Sequence, residues 1–244
     1  MPRPILLPIL FLPYIYPAFS QTAIIGIRTK DNEVFIGADS KVSNGFGCKI
    51  FQSPVDKRVF FAFSGRVTKS TEFNPIEFAR IAASVGGDLK EKVAAFDRII
   101  RPMLLAQIQA DRCDSAAFRE RYLGGHKNFL EVIFAIRDTT VRLIARQYGT
   151  NVAGNNATLT DSVVAYPGNH LDGEVYLGFK GAMMKQSKSS MNTCTDYICY
   201  INELINAQSA ETPDVVGGDI SILRITPLKA KWLQPKPNCR PIRE

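Results

Sequence analysis

Between residues 22 and 65 the apolar positions come in short blocks set off by turn residues, with no helical spacing. Thr22–Arg28 is an Ile-rich run, and Glu33–Ala38 follows a Lys-Asp-Asn turn. A third run starts at Cys48 after Asn-Gly-Phe-Gly, and Arg58–Ser64 follows Ser-Pro-Val-Asp. Blocks of this length, rich in β-branched and aromatic residues and bounded by Gly, Pro, Asn and Asp, predict four successive strands. After Gly65 the period changes. Asn74-Pro75 followed by Ile76, Phe78, Ala79 and Ala82-Ala83 predicts a helix with proline in its first turn. Gly86-Gly87-Asp88 separates it from a second helix, Leu89 to about Asp111. That helix carries Val93, Phe96, Ile99-Ile100, Met103-Leu104 and Ile108 on one face and a kink at Pro102.

Phe129–Arg137 and Thr140–Arg146 predict a hairpin around Asp138-Thr139. Gln147–Thr160 is polar and reads as a loop, its Asn156-Ala-Thr158 acceptor pattern included, and Ser162–Tyr166 reads as a further strand. Residues 179–208 read as helical, with Ile198, Ile201, Leu204 and Ile205 on one face. Ser221–Ile225 is the last predicted strand, and the chain from Pro227 is a Pro- and Lys-rich tail without periodicity. Strand runs separated by helical runs predict segregated layers in an α+β chain, which two facing sheets covered by helices would fit.

The polar residues of the first four strands fall at strand ends. Thr22 opens the first, Asp39 closes the second, Lys49 begins the third and Gly65 ends the fourth, so their side chains can converge on one rim. A threonine hydroxyl is a weak nucleophile, but its own α-amine, with a pKa of roughly 7.7–8.0, can serve as its base if that amine is free. A neighbouring lysine lowers the pKa of both groups, and an aspartate holds the lysine in place.

The blocks Thr22-Ala-Ile-Ile-Gly-Ile, Lys30-Asp-Asn-Glu-Val-Phe-Ile-Gly-Ala-Asp39-Ser-Lys, Lys49-Ile-Phe and Ala62-Phe-Ser-Gly65 resemble, in that order, the start of proteasome β-type subunits. They are also similar to the bacterial proteasome-like peptidases of the N-terminal nucleophile hydrolase class. Asp214-Val-Val-Gly-Gly-Asp-Ile-Ser-Ile-Leu-Arg-Ile-Thr226 resembles a later block of the same family. The resemblance implies a four-layer αββα sandwich and a threonine-type peptidase acting on peptide or protein substrates, with self-assembly into rings; no cofactor is expected, and no Cys/His cluster has the spacing of a metal site. It implies Thr22 as nucleophile, Asp39 and Lys49 as its supporting pair, Gly65 N–H as oxyanion donor, and Asp214 as an aid in orienting the amine. The sequence departs from the family where Gln21 precedes the threonine, where Gly217 replaces a serine, and in a short spacing between Asp39 and Lys49. Gly178-Phe-Lys-Gly181 occupies the region of another family serine. The alternative reading is a non-catalytic scaffold of the same family.

Composition adjusts this picture at the edges. The 244 residues, 45% hydrophobic, suit one substantial domain, taken as 21–228, with a tail over 229–244. The net charge of +7 is scattered, without a dense basic run, which points away from nucleic acid. Residues 1–20 read as a signal peptide cleaved after Ala18-Phe-Ser20, and hence export, or as a propeptide removed before Thr22 in a cytoplasmic protein. Their apolar stretch is shorter than the ~20 residues of a membrane span and is broken by prolines. Five cysteines (Cys48, Cys113, Cys194, Cys199 and Cys239) allow at most two bridges. Cys194 and Cys199, five apart on a predicted helix, are not expected to pair. Cys48 reads as a half-buried structural cysteine, and His126 and His170 stand alone.

Overall fold

The computed structural model describes residues 22–42, 45–65, 73–112, 128–153, 156–168, 170–235 and 239–243. The leader, Gln21, Cys113 and His126 lie outside them. The first block forms β1 (Ala23–Arg28), β2 (Val34–Ala38), a small ribbon of β3 (Lys41–Val42) and β4 (Gly45–Phe46), then β5 (Ile50–Gln52) and β6 (Val59–Gly65). β7 (Asn128–Ile136), β8 (Arg142–Ala153), β9 (Asn156–Tyr166), β10 (Gly173–Gly178), β11 (Ser221–Ile225) and β12 (Ala230–Gln234) complete two antiparallel five-stranded sheets, ordered β10-β1-β2-β11-β12 and β5-β6-β7-β8-β9.

The sheets face each other over a core of Ile24, Ile36, Leu177 and Leu223 from the first and Phe60, Ala62, Ile133 and Leu143 from the second. Glycines inside strands explain two close approaches. A Cβ on Gly26 would stand 2.9 Å from Ile133 Cδ1 across the sheet interface. One on Gly37 would stand 2.3 Å from an Ile201 methyl on the outer face.

The described helices follow their sequence signals. α1 (Pro75–Ser84) is capped by Asn74, whose Oδ1 accepts from Glu77 N (3.2 Å). α2 (Leu89–Arg112) opens on a reciprocal Asp88–Glu91 capping box, with bonds of 2.8 and 3.1 Å, and runs through Pro102 without ending. Its apolar stripe of Leu89, Val93, Phe96, Ile100, Leu104 and Ile108 packs with Phe61, Phe134 and Tyr148 on the outer face of the second sheet. α3 (Gly181–Thr193) and α4 (Tyr197–Glu211) form a hairpin, and α4 places Ile201, Leu204 and Ile205 against Ile25 and Phe35 of the first sheet.

The expected four-layer αββα sandwich of the N-terminal nucleophile type is corrected by this architecture. The chain is strand-rich: 10 strands in two antiparallel sheets, with four described helices giving partial cover. α3 buries only Met183 and Ser190, so the helical face over the first sheet is carried by α4. The strand content was underestimated at two places. Gln147–Thr160, read as a loop, is the paired length of β8 and β9, in register from Leu143↔Tyr166 to Ala153↔Asn156. Among the described residues β7 pairs with β8 as far as Gly149, and beyond it β8 and β9 pair with each other as a two-stranded arm. Of this stretch Tyr148 and Leu159 reach the core, too few to set up an apolar alternation. Beyond Pro227, β12 pairs with β11 at the sheet edge, where lysines such as Lys231 are common.

The cysteine reading is corrected as well. Cys194 and Cys199 are bridged, because the helix stops at Thr193 and Cys194 is extended, which brings the two Cα atoms to 5.5 Å. A second bridge joins Cys48 to Cys239 across 191 residues.

Candidate functional site

Thr22 stands just before β1, wholly buried, with its carbonyl accepting from Phe179 N at 2.9 Å. Its Oγ1 is buried and has no hydrogen-bond partner among the described residues. The following amide, Ala23 N, donates to Asp39 Oδ1 at 2.9 Å, and the same oxygen accepts from Lys49 Nζ at 2.8 Å. Asp39 Oδ2 accepts from Lys41 N and Gly217 N, both at 3.2 Å. The structure thus brings Asp39 and Lys49 together against the first residue of β1. Burial lowers the Lys49 ammonium's pKa below its ordinary range, and the adjacent Asp39 carboxylate opposes that shift.

Gly65 ends β6 with φ +90°, a conformation that favours glycine, and a Cβ there would meet Phe129 O at 2.7 Å. Its neighbour Ser64 reaches Thr22's surroundings: Thr22 O and Ser64 Oγ lie 1.8 and 2.5 Å from the point a Cβ on Gly178 would occupy. Asp214 is not tied to this cluster by any hydrogen bond or ion pair among the described residues. It is exposed in the turn after α4, where Val215 N and Val216 N close on Thr212 O. The backbone three residues later, Gly217, makes the contact to Asp39.

One buried carboxylate went unnoticed in the sequence. Glu131 on β7, 2% exposed, sits opposite Ser64 and accepts a short hydrogen bond from Gly178 N, with Lys180 Nζ 3.8 Å from its other oxygen. The available signal was a lone acid inside the apolar run Phe-Leu-Glu-Val-Ile-Phe-Ala. Such a residue is fully buried only when paired.

Cys194, Cys199 and Glu203 place potential ligand atoms within 4.8 Å of one another, but the two sulfurs are joined and offer no thiolate. A cavity of about 350 Å³ lies beneath the α3–α4 hairpin, lined by Arg28, Glu174, Tyr197 and Tyr200. It is at the far end of β1, about 20 Å from Thr22 at the rise of an extended strand. No described helix is long and apolar enough to cross a membrane. In comparison with known proteins, the chain matches no family model and no curated protein.

Proposed function

We propose that this chain is a threonine-type amide hydrolase, acting on peptides, with Thr22 as nucleophile once the residues before it are removed. The observation that carries the reading is the Thr22 hydroxyl, buried without a described partner one residue from an amide held by the Asp39–Lys49 pair. An unsatisfied buried hydroxyl costs about 1–3 kcal/mol, so it calls for an explanation. A site kept for a reacting group supplies one.

In the proposed reaction, the freed α-amine takes the hydroxyl proton as Oγ1 attacks the substrate carbonyl. The C–N bond then breaks, the proton passes to the departing amine, and water cleaves the resulting ester. Lys49 favours the developing negative charge, Asp39 holds Lys49, and Gly65 N–H is the proposed oxyanion donor. Asp214, exposed, has the weakest support of the five residues. The ordered likeness to proteasome β-type subunits supports the same chemistry. Export and ring assembly remain parts of the proposal that rest on residues 1–20 and on that likeness respectively.

A non-catalytic scaffold is favoured by one observation. Thr22 is fully buried, and Asp39 already shares its two oxygens among four donors, as a purely structural hub would. Peptide hydrolysis by Thr22→Ala and Thr22→Ser variants separates the readings. The hydrolase reading expects loss with alanine and retained activity with serine; equal rates in wild type and Thr22→Ala contradict it.

A further inference from the structure

The residues beyond β12 return to the site's flank. Cys239 is bridged to Cys48, the residue immediately before Lys49. From there residues 239–243 cross the open side of the two sheets. Arg240 O accepts from Trp232 Nε1 (3.2 Å) on β12, the edge of the first sheet. Arg243 exchanges two hydrogen bonds with the Gln52 side chain (2.7 and 2.8 Å) on β5, the edge of the second. Ile242 packs on the core between the sheets. A cavity of about 270 Å³ lies between this segment and Phe51, Phe60, Leu223 and Trp232.

No backbone-to-backbone hydrogen bond joins 239–243 to the rest of the described chain, and Arg240, Pro241 and Arg243 are exposed. Three side-chain hydrogen bonds at the surface and one half-buried isoleucine are a weak hold, each such bond contributing about 1 kcal/mol net. The covalent link is what keeps the segment in place.

We infer that residues 239–243 are a releasable strap and that the Cys48–Cys239 disulfide is its latch, so that reduction detaches the strap from both sheet edges and opens the cavity beneath it. The step balances with a dithiol as reductant. A thiolate attacks one sulfur to form a mixed disulfide, and the second thiol closes the reductant's own disulfide. Cys48 and Cys239 take up two electrons and two protons as thiols. That release would also regulate hydrolysis rests on the Thr22 reading. The test below uses no activity, so failure of that reading leaves it intact.

Trp232 is the only tryptophan and hydrogen-bonds the strap directly, so its emission reports the strap. In a Cys194→Ser/Cys199→Ser background, dithiothreitol should shift Trp232 emission to the red. Amide exchange at Arg243, whose N–H donates to Gln52 Oε1 in the latched form, should rise several-fold with far-UV circular dichroism unchanged. Cys239→Ser should reproduce both effects without reductant. Unchanged emission and exchange after complete reduction would overturn the inference. So would a Trp232 shift with Arg243 still protected, or loss of the circular dichroism signal, which would make the bridge a staple of the whole fold.

Discussion

Asp39 and Lys49 form an ion pair that crosses from one sheet to the other. Asp39 follows β2 of the first sheet and Lys49 precedes β5 of the second, yet Oδ1 and Nζ are 2.8 Å apart with side chains 0% and 5% exposed. Between them in the chain lies the small β3–β4 ribbon. The pair therefore fixes the rim where β1 begins, and it does so out of water, where an unpaired charge is costly.

Removing one partner should strand the other. Lys49→Met is expected to lower stability by about 3–5 kcal/mol, the range for breaking a buried pair. Asp39→Asn/Lys49→Met should lose less than the two single changes combined, since neither charge is left alone. Urea denaturation of the four proteins measures the coupling; strictly additive losses would mean that the pair is not a unit.

Gly178 tolerates nothing larger. Its φ of +75° disfavours a side chain, and a Cβ would stand 1.8 Å from the Thr22 carbonyl oxygen, which is backbone and cannot swing away. Gly178→Ala should cost more than the ~1 kcal/mol typical of point changes and should displace the start of β1. Thermal unfolding tests the first effect. Amide exchange at Phe179, the donor to Thr22 O, tests the second.

Alkaline pH should unfold the protein through buried Tyr148 and Tyr200 and half-buried Tyr176. Burial raises the phenols of Tyr148 and Tyr176, and their carboxylate partners Asp97 and Glu174 reinforce it. Burial likewise pushes Tyr200 up to about 12. A folded pKa above the unfolded value of about 10 means that the native state keeps protons the unfolded state releases. This stability is complete below about pH 10 and is lost as pH rises towards 12 and beyond. In a spectrophotometric titration of the eight tyrosines, these three should ionise late and together with unfolding. Reversible ionisation of all described tyrosines near pH 10 would contradict their burial.

What could be read from the sequence depended on where each signal's physical cause lay. β1, β2 and β6 bury nearly unbroken apolar runs, α2 buries a stripe at helical period, and Asn74 and Asp88 cap helices through neighbours three residues on. Asp39 and Lys49 were legible through their order along the chain. Glu131 was not, because its partners are Gly178, at the end of β10 in the other sheet, and Lys180, at the start of α3, 47 and 49 residues on. The β8–β9 arm carries its pairing in backbone hydrogen bonds that leave no apolar pattern. The Cys194–Cys199 bridge depends on a helix break that looks, in sequence, like continued helix.

The threonine mechanism requires a free Thr22 amine. Intact mass and N-terminal sequencing of the mature protein from its own host test that requirement. The expected result is a chain that begins at Thr22. A mature chain that begins at Gln21 or keeps Met1 would leave that amine in a peptide bond, contradict the threonine mechanism, and leave Asp39 and Lys49 as a structural pair.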